Sequence, residues 1–171
     1  MMQRMRRAAI LVILATVVVS CGGGYWALRP TRELCRYPLD FFTNQAHRPV
    51  EVSERINQDD QIRAFGLCIL DDPRSSPFAA YAKLTSSEYS QNPITPDYLV
   101  ERESIQVGAD TVRVWSHDHG QVYMRVDVDG WLGELDVRPD KVGVKSLPDE
   151  HLPAAAEMLV RMTRDLKGPS R

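Results

Sequence analysis

The sequence lacks the motifs by which common enzyme classes are recognised. It contains no HExxH zinc motif, no CxxC pair and no GxSxG nucleophile elbow. The glycine run Gly22–Gly24 is not followed by the lysine that a phosphate-binding loop requires. The sequence therefore predicts no catalytic residue and no cofactor.

Excess positive charge is also missing. Among 171 residues, 21 lysines and arginines face 23 aspartates and glutamates, for a formal net charge of −2. Three of the arginines lie within the first seven residues, so a chain without them would carry −5. An acidic surface does not attract a phosphate backbone, and we expect no nucleic-acid partner.

The length suits one domain with an appendage, and no internal repeat is present.

The one long uncharged run lies at the N-terminus. The basic segment MMQRMRR precedes Ala8–Ser20, which is the order of an export signal. The run ends in Val18-Val19-Ser20-Cys21, which resembles a bacterial lipobox. That resemblance implies that Cys21 is modified with diacylglycerol and becomes the first residue of the mature protein. Residues 1–21 would then be the signal and residues 22–34 a flexible tether.

Two other interpretations of the leader stay open. Ala8–Leu28 is long enough for an uncleaved membrane-spanning helix with its N-terminus in the cytoplasm, although three glycines weaken it. Cleavage to a soluble product is the third. All three place the rest of the chain on the extracytoplasmic side, and the first two attach it to the membrane.

The cysteine count agrees with export. The chain has three cysteines, an odd number that leaves one thiol over unless it has another use. Lipidation of Cys21 supplies that use and leaves Cys35 and Cys68 as a predicted disulfide in an oxidising compartment. The alternative is that both are reduced, buried thiols.

The segment 111–137 predicts a three-stranded antiparallel meander. Asp118-His119-Gly120 fits a three-residue hairpin loop, and Asp129-Gly130 is a two-residue type I′ signal. Both turns independently give one register, in which Arg125 faces Glu134 and the apolar residues share one side. We expect Arg125 and Glu134 to form an exposed ion pair on the polar side. Gly130 is needed in that turn because type I′ requires a positive φ.

The C-terminal segment predicts the cover for this apolar side. Seven of its residues recur at helical spacing and would share one face of a helix: Leu152, Ala155, Ala156, Leu159, Met162, Thr163 and Leu166. Upstream, we expect a helical turn after Pro38 and strands at Ala64–Leu70 and Phe78–Leu84, with a surface loop at Ser86–Asp97. The prediction is a single α+β domain over 35–168, an antiparallel sheet covered on one face by a C-terminal helix.

The other face of the meander is the candidate binding surface. Arg113, Trp115, Tyr123 and Arg125 share it, and arginine with aromatics is the composition of binding hot spots. The alternative is that another element, such as Pro38–Gln45, covers these side chains.

Two other groups of polar residues are explained by turn structure without a functional site. His117, Asp118 and His119 offer part of a coordination shell, but the hairpin loop explains them without a metal, and no third clustered ligand completes a site. The acidic pairs Asp59-Asp60 and Asp71-Asp72 lie beside loop residues, where aspartate is favoured by turn chemistry.

The lipobox-like leader, the pair Leu34-Cys35 and the second cysteine in Gly66–Cys68 together resemble small two-cysteine envelope lipoproteins of actinobacteria. The resemblance implies a surface-tethered accessory protein and transfers no functional residue. Our first hypothesis is a non-catalytic, membrane-tethered binding or accessory domain with an envelope protein as partner. The second is an envelope hydrolase whose active site has no recognised motif.

Overall fold

The computed structural model describes residues 33–57, 62–74, 76–90, 98–139 and 146–168. The predicted leader, Cys21, most of the tether and the pair Asp59-Asp60 lie outside these residues. Two α-helices are described, α1 (Arg36–Asn44) and α2 (Leu152–Leu166), the second preceded by a 3₁₀ turn at Asp149–His151. The strands, in chain order, are β1 (Glu51–Ile56), β2 (Phe65–Asp72), β3 (Ser76–Ser86), β4 (Val100–Glu101), β5 (Ile105–Val107), β6 (Asp110–Ser116), β7 (Val122–Val128) and β8 (Trp131–Val137).

These strands form one antiparallel sheet in the order β1-β2-β3-β8-β7-β6-β4, with β5 pairing beside β4 on β6. The predicted meander is its β6-β7-β8 part. The α+β prediction is confirmed, and the sheet is wider than the meander because β1–β3 join it through the contact of β3 with β8.

The two predicted hairpin turns set the register of the meander. Asp129 and Gly130 have φ angles of 51° and 77°, the two positive values that a type I′ turn requires. Gly120 closes the other loop with φ 92°. The register follows as predicted, with Val128 opposite Trp131 and Arg125 opposite Glu134.

Helix α2 lies on the apolar face of the sheet. All seven residues of its predicted stripe are buried, and they join a core with Val114, Met124 and Leu135 of the meander. Gly133 lies directly beneath Thr163, where a Cβ atom would overlap the Thr163 Oγ1 atom. The small residue in β8 therefore permits the close approach of α2.

Helix α1 packs beside α2 on that same face. Its Phe41 and Phe42 belong to the main core, and Tyr37 Oη donates a hydrogen bond to Asp165 Oδ2 at 2.7 Å. The helix begins two residues before Pro38, which the first turn tolerates because its missing N–H would be unpaired there. The suggestion that Pro38–Gln45 covers the opposite face is wrong.

The predicted disulfide is present. Cys35 and Cys68 are bonded, with their Cα atoms 5.1 Å apart, so the start of α1 is fastened to β2. Cys68 is fully buried. Strand β2 alternates buried and half-buried residues, because the sheet face away from the helices is only partly covered.

Candidate functional site

The sheet face that points away from α1 and α2 is called the outer face here. Its middle strands contribute eight side chains in two cross-strand rows. One row runs Lys83, Glu134, Arg125, Arg113, and the other runs Tyr81, Asp136, Tyr123, Trp115. Directly paired residues of antiparallel strands share a face, so the register itself brings these groups together.

Glu134 is the buried anion of the outer face. The residue is 6% exposed, Tyr123 Oη donates a hydrogen bond to its Oε1, and Lys83 Nζ lies 3.0 Å from its Oε2. The expectation that Glu134 forms an exposed ion pair with Arg125 is wrong. The carboxylate turns instead towards Lys83 and diagonally towards Tyr123, so both of its oxygens are engaged away from Arg125.

Tyr123 belongs to a small aromatic cluster above this network. It packs with Trp115 and Leu99, and the two ring centroids lie 5.5 Å apart. Burial, followed by the nearby Glu134 carboxylate, raises the pKa of Tyr123 well above its ordinary value. Tyr123 therefore stays a neutral hydrogen-bond donor to Glu134.

Asp136 occupies the second row beside Tyr81. Gln121 Nε2 donates a hydrogen bond to Asp136 Oδ1 at 2.8 Å. Burial raises the pKa of Asp136, and the bond from Gln121 offsets part of that effect. The pKa of Tyr81 is raised by burial and then by the Asp136 charge.

Arg113 is held on the outer face by a fixed partner. Its Nε and Nη2 atoms donate to the two carboxylate oxygens of Glu101 at 2.9 and 3.0 Å. Its Cζ atom also lies 4.8 Å from the centre of the Trp115 ring. A bidentate bond and a stacking contact together fix this guanidinium.

Arg125 has no such partner among the described residues. Its Cζ atom lies 5.3 Å from the Trp115 ring, so the indole has two guanidinium groups near it. The Arg125 Nη1 atom is buried without a hydrogen-bond acceptor in the described part of the chain. Buried donors in proteins are nearly always paired, so an orphan of this kind indicates a missing partner.

The four residues of the predicted binding surface thus come together. Arg113, Trp115, Tyr123 and Arg125 form one contiguous group, and Lys83, Glu134 and Asp136 extend it. Sequence reasoning placed Glu134 on this face opposite Arg125, but it did not single out Lys83 or Asp136. The alternation of β8 placed Glu134 and Asp136 on the polar side, but their burial depends on elements outside the meander.

The His117–His119 loop is an ordinary hairpin turn, as expected. The His119 backbone N–H donates to His117 Nδ1 at 2.9 Å, and the two imidazole centroids lie 4.6 Å apart. In the described ranges, no cluster of three or more histidine, cysteine or acidic side chains could hold a metal ion.

Apart from the outer face, the structure has a cleft on the helix side of the sheet edge. This cleft of about 400 Å³ is lined by Val114, Leu152 and the segment after β4. Its cation, Arg102, donates to Asp149 Oδ1 at 2.9 Å. The charge of Arg102 is therefore already balanced, in contrast with Arg125.

Comparison with protein-family models, with curated proteins and with solved structures finds no match for this chain. None of the helices in the described ranges has the length and apolar character needed to cross a membrane.

Proposed function

We propose that this protein is a membrane-tethered, extracytoplasmic binding or accessory protein of the bacterial cell envelope, and that it acts without catalysis. The outer face is its binding surface. The lipobox-like leader supports the tether, and the Cys35–Cys68 bond agrees with an oxidising compartment.

The observation that carries the proposal is the arginine and aromatic composition of the outer face. The two helices occupy the other side of the sheet, so they do not cover Arg113 or Arg125. Trp115 and Tyr123 are each only 4% exposed, so the exposed Arg113 and the half-buried Arg125 are the groups of this set that a partner can reach. Arginine is among the residues that most often dominate binding energy at interfaces. Each arginine here also stacks on Trp115, which fixes its orientation before any partner arrives.

Site-specific photocrosslinking in the intact, membrane-attached protein tests this function. A photoreactive benzoylphenylalanine at position 111 lies beside the outer face, since Thr111 is exposed two residues before Arg113 on β6. The same group at position 157, an exposed site on α2, is the control. We expect a discrete crosslinked protein from position 111 alone. Equal products from both positions, or none from either, would contradict a binding role for the outer face.

An envelope hydrolase is the second candidate, favoured by the two carboxylates of β8. Glu134 is ion-paired, whereas burial favours the protonated form of Asp136, and such a difference is a common basis of acid–base catalysis. A hydrolase would lose its function when Asp136 is replaced by asparagine. A binding protein would keep its position-111 crosslink in that variant.

A further inference from the structure

We propose that the outer face binds a carboxylate of an acidic side chain on a protein partner, and that Arg125 is the residue that receives it. This inference rests on the proposed binding function and names the chemistry of that same site.

The charges along one cross-strand row carry the argument. Lys83, Arg125 and Arg113 are three cations on neighbouring strands. Lys83 is bonded to Glu134 and Arg113 is bonded to Glu101. Within the described ranges, two carboxylates therefore pair with two of these three cations, and Arg125 has no carboxylate partner.

The position of Arg125 makes this imbalance costly. It lies directly opposite Arg113, and like charges on directly opposed residues destabilise a sheet. On its other side lies Glu134, whose oxygens are taken by Tyr123 and Lys83. The nearest acidic residue along β7, Asp127, accepts a hydrogen bond from the Gly130 backbone at 3.1 Å within the turn. Arg125 is half-buried, and one added carboxylate on its guanidinium would balance the charge of the row.

The surroundings favour a carboxylate over a phosphate group. Glu134 lies directly opposite Arg125, and Glu101 is bonded to the neighbouring Arg113, so both would repel a second negative charge on the ligand. A phosphate group carries about −1.5 to −2 at pH 7, whereas a carboxylate carries one charge, which matches one unpaired guanidinium. The planar guanidinium also fits a carboxylate in a two-point contact.

The neighbours of the guanidinium favour a protein as the source of that carboxylate. Trp115, Tyr123 and Leu99 form a buried cluster beside Arg125, each at most 8% exposed. Tyr98, which precedes Leu99 and packs against the His117 ring, is 55% exposed and is the apolar group that a partner would contact. An acidic side chain on a peptide brings apolar neighbours to such a surface, which a free small acid does not. An arginine held on an aromatic ring is a frequent anchor for this type of contact.

Peptide titration of the full-length protein in detergent micelles tests the inference. The probes are the blocked peptides acetyl-Gly-Asp-Gly-amide and acetyl-Gly-Asn-Gly-amide, together with inorganic phosphate. The indole N–H resonance of Trp115, assigned with Trp115→Phe, reports binding. We expect a saturable shift with the Asp peptide, and about tenfold weaker binding of the Asn peptide because the charge is absent.

Arginine variants test whether Arg125 is the residue that binds the Asp peptide. Arg125→Gln should weaken the Asp peptide about tenfold, and Arg125→Lys should weaken it less because charge remains without the planar fork. Arg161→Gln is the matched control, since Arg161 also stacks on a ring, 5.6 Å from that of Tyr37, but on α2. Thermal melting of each variant separates loss of binding from loss of folding.

Three results would overturn the inference: equal binding of the Asp and Asn peptides, tighter binding of phosphate than of the Asp peptide, or an unchanged response in Arg125→Gln. The crosslink at position 111 distinguishes this failure from failure of the binding function. If the crosslink forms in wild type while the peptide results fail, the surface binds a partner of other chemistry. If the crosslink itself is missing, the proposed function is wrong.

Discussion

Arg113 and Arg125 face each other directly across β6 and β7, yet among the described residues a carboxylate is bonded to only one of them. Both guanidinium groups lie near the same indole ring, that of Trp115. Natural sheets usually place opposite charges at directly opposed positions. This exception leaves one cation on the outer face without a carboxylate partner among the described residues, beside the buried Trp115 and Tyr123, and it is the basis of the proposed binding role.

The buried ion pair gives a prediction about stability. Glu134→Gln should lower the free energy of unfolding by about 2 kcal/mol, because the charged acceptor of Tyr123 and Lys83 is lost from a buried site. Asp40→Asn is the control, since Asp40 pairs with Arg36 at 3.5 Å on an exposed helix surface, and such pairs contribute less than ~1 kcal/mol. Urea unfolding measures both. Similar losses in the two variants would show that Glu134 is not in a buried network.

The contact of α2 with β8 gives a second prediction. Gly133→Ala should destabilise the protein by about 1–3 kcal/mol, because the added methyl group would overlap Thr163 Oγ1. Adding Thr163→Ala should recover part of the loss by removing that hydroxyl group. The double-mutant cycle measures the coupling. Additive effects would mean that α2 does not press on Gly133.

The type I′ turn gives a third. Gly130→Val should cost about 1–3 kcal/mol, since a β-branched residue resists the positive φ of 77° found there. Gly130→Asn should cost clearly less, because asparagine tolerates left-handed backbone. Thermal unfolding ranks the two variants. If valine and asparagine destabilise the protein equally, turn geometry is not the cause.

The tyrosines predict the alkaline behaviour of the fold. The pKa values of Tyr81 and Tyr123 are raised, chiefly by burial, so these phenols stay neutral where unfolded tyrosine ionises. A raised pKa contributes stability that is complete below about pH 10 and is lost as the pH rises above it. Ultraviolet titration should show that these two tyrosines ionise only when the protein unfolds. Ionisation of both near pH 10 in folded protein would contradict their burial.

The disulfide makes a prediction about reduction. It closes a loop over a sequence separation of 33, for which the chain-entropy model gives about 3–4 kcal/mol. Reduction should therefore lower the unfolding temperature, and the Cys35→Ser/Cys68→Ser variant should show the same lowered temperature without reductant. Free alkylation of both thiols in native, unreduced protein would show that the bond does not form.

Much of the fold follows from local sequence. The meander was predictable because Asp118–Gly120 and Asp129-Gly130 each specify a turn, and the two turns give one register. Helix α2 was predictable because its buried residues recur at helical spacing in the sequence. The pairing of β3 with β8 was not predictable, because about fifty residues separate the two strands and no single turn joins them.

The candidate site was likewise predictable only in part. The shared face of Arg113, Trp115, Tyr123 and Arg125 follows from the period of two along the strands. The partner of Glu134 does not, because Lys83 arrives on β3, whose neighbour the sequence leaves open. Burial of Glu134 likewise depends on distant elements, so an exposed pair with Arg125 was the natural but incorrect expectation.

The most direct test of the central claim is the yield of the position-111 photocrosslink in the membrane-attached protein, compared between wild type and Arg125→Gln. Arg161→Gln serves as the control variant. If the outer face holds its partner through Arg125, the yield should fall about tenfold in Arg125→Gln and stay unchanged in Arg161→Gln. Equal yields in wild type and in a folded Arg125→Gln protein would contradict the claim.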